Sequence, residues 1–290
     1  MEHMNTKDFL VGAVDTHVHS WCSDGTEAPA EVMRQARMAG LSAIALTDHD
    51  TTAGWEEAVE RVEAEKVALI RGMEVTTRHE GKSVHILAYL FDPEHEVVRE
   101  HAQRLHVSRR QRLEEMVENI ARDYPISLDD VIEQASGEVL GRPHIADALI
   151  ARGIVQTRNE AFASIISSRG KYYVRQKAPD TCEVIEWIGR AGGKAVFAHQ
   201  YLVSHDMGRL TGYVRDFSEV GLFGVEVDHR DNPEGVRPAL RAIAQSVGAE
   251  IFGASDYHGA GKPNRLGENV TAPDVIARLE DGAALPILHP

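Results

Sequence analysis

The chain has 290 residues, of which 43% are hydrophobic and 26% charged, and it carries a formal net charge of −14. This balance excludes an intrinsically disordered polymer and allows one large core, or a core with an insertion. So acidic a surface opposes long nucleic acids and anionic membranes. Two cysteines, Cys22 and Cys182, provide neither a disulfide framework nor a CxxC zinc knuckle. Residues 1–10 lack the basic and apolar blocks of a signal peptide and no apolar run reaches membrane-spanning length, so a cytoplasmic protein without a membrane partner is expected.

In chain order, short β-rich runs fall at 13–15, 42–46, 68–70, 84–90, 195–198, 224–227 and 250–253, which predicts seven strands. A helix over 30–39 has Pro29 near its start, Val32, Met33 and Ala36 on one face, and Gly40 as its stop. Strand followed by helix implies a parallel sheet. From 93 to 178 the alternation breaks into successive helices at 97–121, 128–134, 143–152 and 160–167. The spacing therefore predicts a discontinuous barrel over 8–94 and 179–283, with 95–178 as an inserted small helical domain. Asp180, with Glu183 three residues later, is a capping-box pattern opening a helix through Val184, Ile185 and Ile188 to Gly192-Gly193. A last helix over 274–279 closes the chain.

Fifteen histidines are more than packing requires, and many sit beside acids after apolar runs. His17-Val18-His19 follows the first strand; in extended chain its two imidazoles share a face and can grip one ion. Ser23-Asp24-Gly25 comes next, Thr47-Asp48-His49-Asp50 ends the second strand and Gly72-Met73-Glu74 the third. His85 lies in the fourth, Ala198-His199 closes the fifth and Ser255-Asp256-Tyr257-His258 the seventh. Any one of these could be a turn residue or a core histidine. Together at one barrel mouth, without cations, they would leave costly unpaired charge. Histidine with carboxylate suits Mn²⁺, Fe²⁺ or Zn²⁺, and two or three such divalent ions against Asp24, Glu74 and Asp256 make a positive field suited to a phosphate.

The ordered set DTHVHSWCSDGT, GLSAIALTDHDTTAG, GMEV, SVHILAY, GRPHIADAL, AVFAH and GASDYHG resembles the PHP (polymerase and histidinol phosphatase) domain family over nearly the whole chain. The resemblance implies an α/β fold, a distorted seven-stranded (β/α) barrel of the amidohydrolase-like type. It implies that His17, His19, Glu74 and Asp256 hold one metal, that Glu74 bridges to a second held by His85 and His144, and that Asp24, His49, His199 and His258 hold a third, with Asp48 behind them. It further implies attack on phosphorus by a metal-bridging hydroxide, with proton transfer assisted by His199 or His258, and phosphate contact by Arg142 within Gly141-Arg142-Pro143-His144. An arginine fork suits that role. The run from Arg169 to Lys177 concentrates positive charge, and Lys171 and Arg175 are expected to touch a second phosphate or a base. Where the family has proline after the fifth-strand histidine, this chain has Gln200, which leaves substrate orientation there open. Cys22 is given no role, and Glu226 and His229 stay unassigned.

The inserted helices and the GRPH motif are most similar to the subgroup that removes the 3′-phosphate from nucleoside 3′,5′-bisphosphates, with related members trimming short RNA 5′ ends. The expected partner is a small phosphorylated substrate, a nucleotide above all. The alternatives are a phosphatase for another small phosphomonoester such as histidinol phosphate, a non-catalytic PHP binding module, and a carbon–nitrogen hydrolase using a similar metal centre.

Overall fold

The computed structural model describes residues 12–135 and 140–290. The reading of residues 1–10, and the start of the barrel at residue 8, lie outside the described residues. Seven strands form one sheet in chain order: β1 (Ala13–Val18), β2 (Leu41–Leu46), β3 (Ala68–His79), β4 (Lys82–Tyr89), β5 (Lys194–Phe197), β6 (Leu222–Asp228) and β7 (Glu250–Gly253). Each apolar run foreseen in the sequence lies on one of them.

The expectation of a uniformly parallel sheet is corrected at one strand. β4 runs antiparallel to both β3 and β5, whereas the other neighbours are parallel. The cause is local: β3 extends to His79, and Glu80 and Gly81, both at positive φ (44° and 75°), return the chain directly to Lys82. A two-residue turn with both φ positive matches the twist of a hairpin and favours glycine. Glu74 consequently sits inside β3 and not at its end, and His85 sits near the start of β4, opposite Thr76.

Period-two alternation divides the sheet's side chains between two cores. Ile44 and Leu46 face outward, where they join Val32, Met33 and Ala36 of α1 (Pro29–Met38) in one cluster. Ala43, Ala45, Ala68, Leu87, Val196 and Phe252 belong to a second cluster. The C-terminal helix Pro273–Glu280 adds Val275, Ile276 and Leu279 to this inner cluster. The edges of the curled sheet meet through backbone bonds: His19 N to Tyr257 O (2.9 Å) and Thr271 N to Val14 O (2.9 Å). Asp15 tightens the seam by accepting from Ser255 N and Gly267 N at 3.0 and 2.8 Å.

Following α2 (Trp55–Val59) and α3 (Val62–Glu65), the first four of the five helices that the described residues form between β4 and β5 are α4 (Glu96–Ala121), α5 (Leu128–Ile132), α6 (Arg142–Ala151) and α7 (Arg158–Ala163). They enclose their own apolar cluster around Leu113, Met116, Ile120, Val131, Ile145 and Leu149. The helix after them, α8 (Thr181–Arg190), starts as expected, but its cap is simpler: Asp180 accepts from Cys182 N at 2.8 Å, and the described contacts give Glu183 no reciprocal bond. Among the described residues, no helix is long and apolar enough to cross a membrane.

Candidate metal centre

The imidazoles of His17 on β1 and of His19 just past its end do share a face, with His17 Nε2 and His19 Nε2 3.0 Å apart. Glu74 reaches them from β3. Its Oε2 lies 3.0 Å from His17 Nε2, 3.1 Å from His19 Nε2 and 3.2 Å from His49 Nδ1, while its Oε1 lies 2.6 Å from His85 Nδ1 and 2.9 Å from His199 Nε2. One buried carboxylate thus touches five imidazoles. Asp256 Oδ1 closes the first group at 3.6 Å from His17 and 3.4 Å from His19. On the far side of His19, Asp24 lies 3.1 Å from His258 and 3.8 Å from His49.

Among the described residues, five groups have ligand atoms all within 4.8 Å of one another: His17, His19, Glu74 and Asp256; His19, Asp24, His49 and His258; His49, Glu74 and His85; His17, Glu226 and His229; and His229, Asp231 and Asp256. The first is the set the sequence grouped. His199 departs from expectation, since it lies against Glu74 Oε1 with His85 and not with Asp24. His144 also departs, for it enters none of the groups found among the described residues.

Backbone bends aim these side chains. Asp50, His199 and Asp256 all have positive φ (53°, 25° and 55°), a conformation that costs energy outside glycine and concentrates at functional sites. The loop carrying Asp24 is drawn in by Asp48, which accepts from Ser20 N (2.8 Å), Ser20 Oγ (2.6 Å) and Ser23 Oγ (2.7 Å). Gly25 permits the bend, because a Cβ there would lie 2.8 Å from Ser20 O.

The electrostatics fit resident cations. Burial would raise Glu74, yet the charges of His49, His17 and His85 hold it well below the usual carboxylate range. Burial likewise opposes the ionised forms of Asp24 and Asp256, and the neighbouring cations overrule it. In return, despite burial, the carboxylates push His17 well up and His19 up to about 9. Burial keeps His49 and His258 below the ordinary histidine value. Asp24 Oδ1 and His258 Nε2 are both buried without a hydrogen-bond partner, as is His49 Nδ1. Lone pairs that converge without bonding one another suit a shared cation. An ion bound about 2.0–2.1 Å from nitrogen sets ligand-to-ligand edges of roughly 3.0–3.4 Å, which is the spacing around His17, His19 and Glu74.

Ring wiring separates lone-pair donors from proton donors. His17 Nδ1 lies 2.9 Å from Glu226 Oε1, and His258 Nδ1 donates to Asp256 O at 2.8 Å, so in each ring the Nε2 lone pair faces the acids. That arrangement suits His258 to ligation and leaves it poorly placed for the proton transfer the sequence suggested. His199 Nε2 is likewise engaged, on Glu74. Glu226, left unassigned from sequence, is fully buried, holds His17 and accepts from His199 N at 2.7 Å. Its only sequence signal was an acid near the end of an apolar strand. Glu226→Gln is expected to fold and to bind metal roughly 10- to 100-fold more weakly, as read by competition with a chelator; unchanged affinity would remove Glu226 from the centre.

The centre opens into a cleft of about 550 Å³ whose wall includes Arg78, Arg109, Arg112, Arg142, Arg158 and Lys262. Arg109 is paired with Asp50 and donates to Thr76 Oγ1 at 2.7 Å; Arg158 is paired with Asp147, and Lys262 with Asp256. Arg112 and Arg142 have no carboxylate partner among the described residues. Arg112 donates to Val174 O (2.7 Å), and Arg142 lies between the rings of Phe162 (5.1 Å) and Tyr173 (5.7 Å). Burial, with the nearby charge of Arg142, pushes Arg112 down to about 10. Lys171 and Arg175 do not line this cleft. Lys171 is exposed and its ammonium lies 2.9 Å from Asp123, and Arg175 is exposed, so the positive run in the sequence points elsewhere. Sequence reasoning missed Arg109 and Arg112, although their i, i+3 spacing on a long helix put them on one face.

Fold and centre together define a curled α/β barrel that gathers candidate metal-binding histidines and carboxylates at its mouth. The PHP domain family model matches residues 15–195, more than half of the chain, and the protein belongs to that family. A 5′-3′ exoribonuclease of Haemophilus influenzae is 29% identical over 263 residues, covering 90% of this chain and 96% of that one. A 3′,5′-nucleoside bisphosphate phosphatase of Chromobacterium violaceum is 27% identical over 282 residues, covering 96% and 98%. Among solved structures, a candidate metal-dependent phosphoesterase of Bifidobacterium adolescentis superposes with a TM-score of 0.88 at 39% identity, covering 94% of this chain and 97% of that one.

Proposed function

We propose that the protein is a metal-dependent phosphoesterase that removes the 3′-phosphate from nucleoside 3′,5′-bisphosphates. The observation that carries this reading is the lining of one cleft, shared by histidines and carboxylates of the centre and by Arg112 and Arg142, which are half-buried without a carboxylate partner among the described residues. Half-buried guanidiniums lacking an anion are costly, and a substrate with two phosphates can engage both the centre and the arginines. The name of the Chromobacterium violaceum relative matches this substrate, and that of the Haemophilus influenzae relative, an exoribonuclease, shares phosphoester hydrolysis.

His17, His19, Asp24, His49, Glu74, His85, His199, Asp256 and His258 are read as the residues that hold the ions, with Mn²⁺, Fe²⁺ or Zn²⁺ suited to such donors. When bound, divalent ions supply Lewis acidity toward phosphoryl oxygens and an activated water. The chain supplies the rest. Glu226 fixes the tautomer of His17, Asp50 and Thr76 hold Arg109 at the rim, and Arg142 offers a planar fork to a phosphate whose rings on either side restrict its motion. Residues 95–178, with helices α4 to α7, act as an inserted cap that brings these arginines over the barrel mouth. Free Cys22 and Cys182 accord with a reducing, cytoplasmic setting.

Short 5′-phosphorylated RNA is the second reading, because its 5′-phosphate and next phosphate repeat the arrangement of the bisphosphate. It is favoured by an adjoining hollow of about 590 Å³ lined by Thr26, Asp147, Thr157 and Pro263, which shares Arg158, Asn159, Gly261 and Lys262 with the cleft. Long nucleic acid would meet the net charge of −14 beyond it.

The deciding assay follows phosphate release by the purified Mn²⁺-loaded protein from adenosine 3′,5′-bisphosphate, AMP, histidinol phosphate and a short 5′-phosphorylated RNA. Release from the bisphosphate that stops at AMP is the expected result. Preference for histidinol phosphate would replace the substrate, and silence on every phosphoester with metal bound would overturn the enzyme reading.

A further inference from the structure

His144 is wired in the opposite sense to His17 and His258. Gly141 N–H donates to His144 Nδ1 at 3.0 Å, so the Nδ1 lone pair is used and the neutral ring carries its proton on Nε2. An Nε2 that bears hydrogen cannot ligate a cation. The side chain is 4% exposed and lines the cleft beside Arg142 and Arg158, and no other hydrogen bond to its ring is found among the described residues. Burial lowers its proton affinity, against the pull of Asp24 and Asp147, which favours the neutral donor form. The ring therefore presents one unengaged N–H on the wall that faces the metal centre.

We propose that His144 is a catalytic hydrogen-bond donor and not a metal ligand, its Nε2–H being offered to a phosphoryl oxygen of the substrate held between the centre and Arg142. The inference rests on the phosphoesterase reading given above. Such a donor is oriented before the substrate arrives: His144 is the third residue of α6, its own N–H bonds Gly141 O at 3.1 Å, and the returned Gly141 bond stops the ring from flipping. A fixed donor aimed where charge develops costs no reorganisation during the reaction. The competing role is that of a helix cap alone, and that role leaves turnover untouched.

The test compares His144→Ala and His144→Gln with the parent, each full-length and loaded with Mn²⁺. Metal per chain, thermal midpoint, and kcat and KM on adenosine 3′,5′-bisphosphate are measured. Both variants are expected to hold as many ions as the parent. In His144→Ala, kcat should fall by roughly 10²- to 10³-fold with little change in KM. His144→Gln keeps an acceptor for Gly141 N–H and an N–H to present, and should recover part of the rate. Loss of an ion in both variants would overturn the proposal in favour of ligation. An unchanged kcat in His144→Ala beside a lowered thermal midpoint would overturn it in favour of capping. A metal-loaded parent that cleaves no phosphoester overturns the phosphoesterase reading, and this inference with it.

Discussion

Glu74→Gln is expected to leave a folded protein with depleted metal and turnover lowered by on the order of 10³-fold or more, a larger loss than replacement of any residue behind the ligands. The reason is position. Glu74 Oε2 serves His17, His19 and His49 while Oε1 serves His85 and His199, so one carboxylate joins two of the candidate ion groups. Glutamine keeps the volume and one acceptor oxygen but removes the charge that balances the surrounding cations, and its amide adds hydrogens where nitrogen lone pairs already converge. Elemental analysis of the purified variant, beside its rate on adenosine 3′,5′-bisphosphate, reads both effects. Full metal and full rate would dismantle the centre as described.

Arg142→Met is the second large effect, and of a different kind. Methionine retains an apolar stem against Phe162 and Tyr173 but removes the fork. Hydrogen bonds to charged groups contribute roughly 1.5–3 kcal/mol, so KM for the bisphosphate should rise by roughly 10- to 150-fold with metal content unchanged. A substrate carrying only the 3′-phosphate should lose much less, because the group that the arginine end would bind is absent from it. Equal losses on both substrates would place Arg142 at the reacting phosphate, and no loss on either would leave it a packing residue between two rings.

Much of the centre was legible because its chemistry is local. His17 on β1 and His19 just past its end are two residues apart, where extended alternation puts both rings on one face, and Asp24, His49, Asp256 and His258 follow strands closely enough for the barrel mouth to collect them. The seven apolar runs marked seven strands, since each must bury one or both faces. What the sequence determined, then, was the donor types, their attachment to strands and the class of ion they suit.

Tertiary structure decided which donor meets which. The turn at Glu80-Gly81 reverses β4, which places His85 on Glu74 through a cross-strand register that no spacing rule encodes. His199 reaches the same carboxylate across 125 positions and Glu226 reaches His17 across 209, distances in sequence over which local pattern carries no information. The cationic wall is the clearest case. Arg109 and Arg112 drew no reading from the sequence, while the Arg169–Lys177 run was expected to touch a second phosphate or a base. Packing of the helical insertion turns the former into the cleft and leaves Lys171 on Asp123. A charge acts on what it faces, and what it faces is fixed only when separate elements pack.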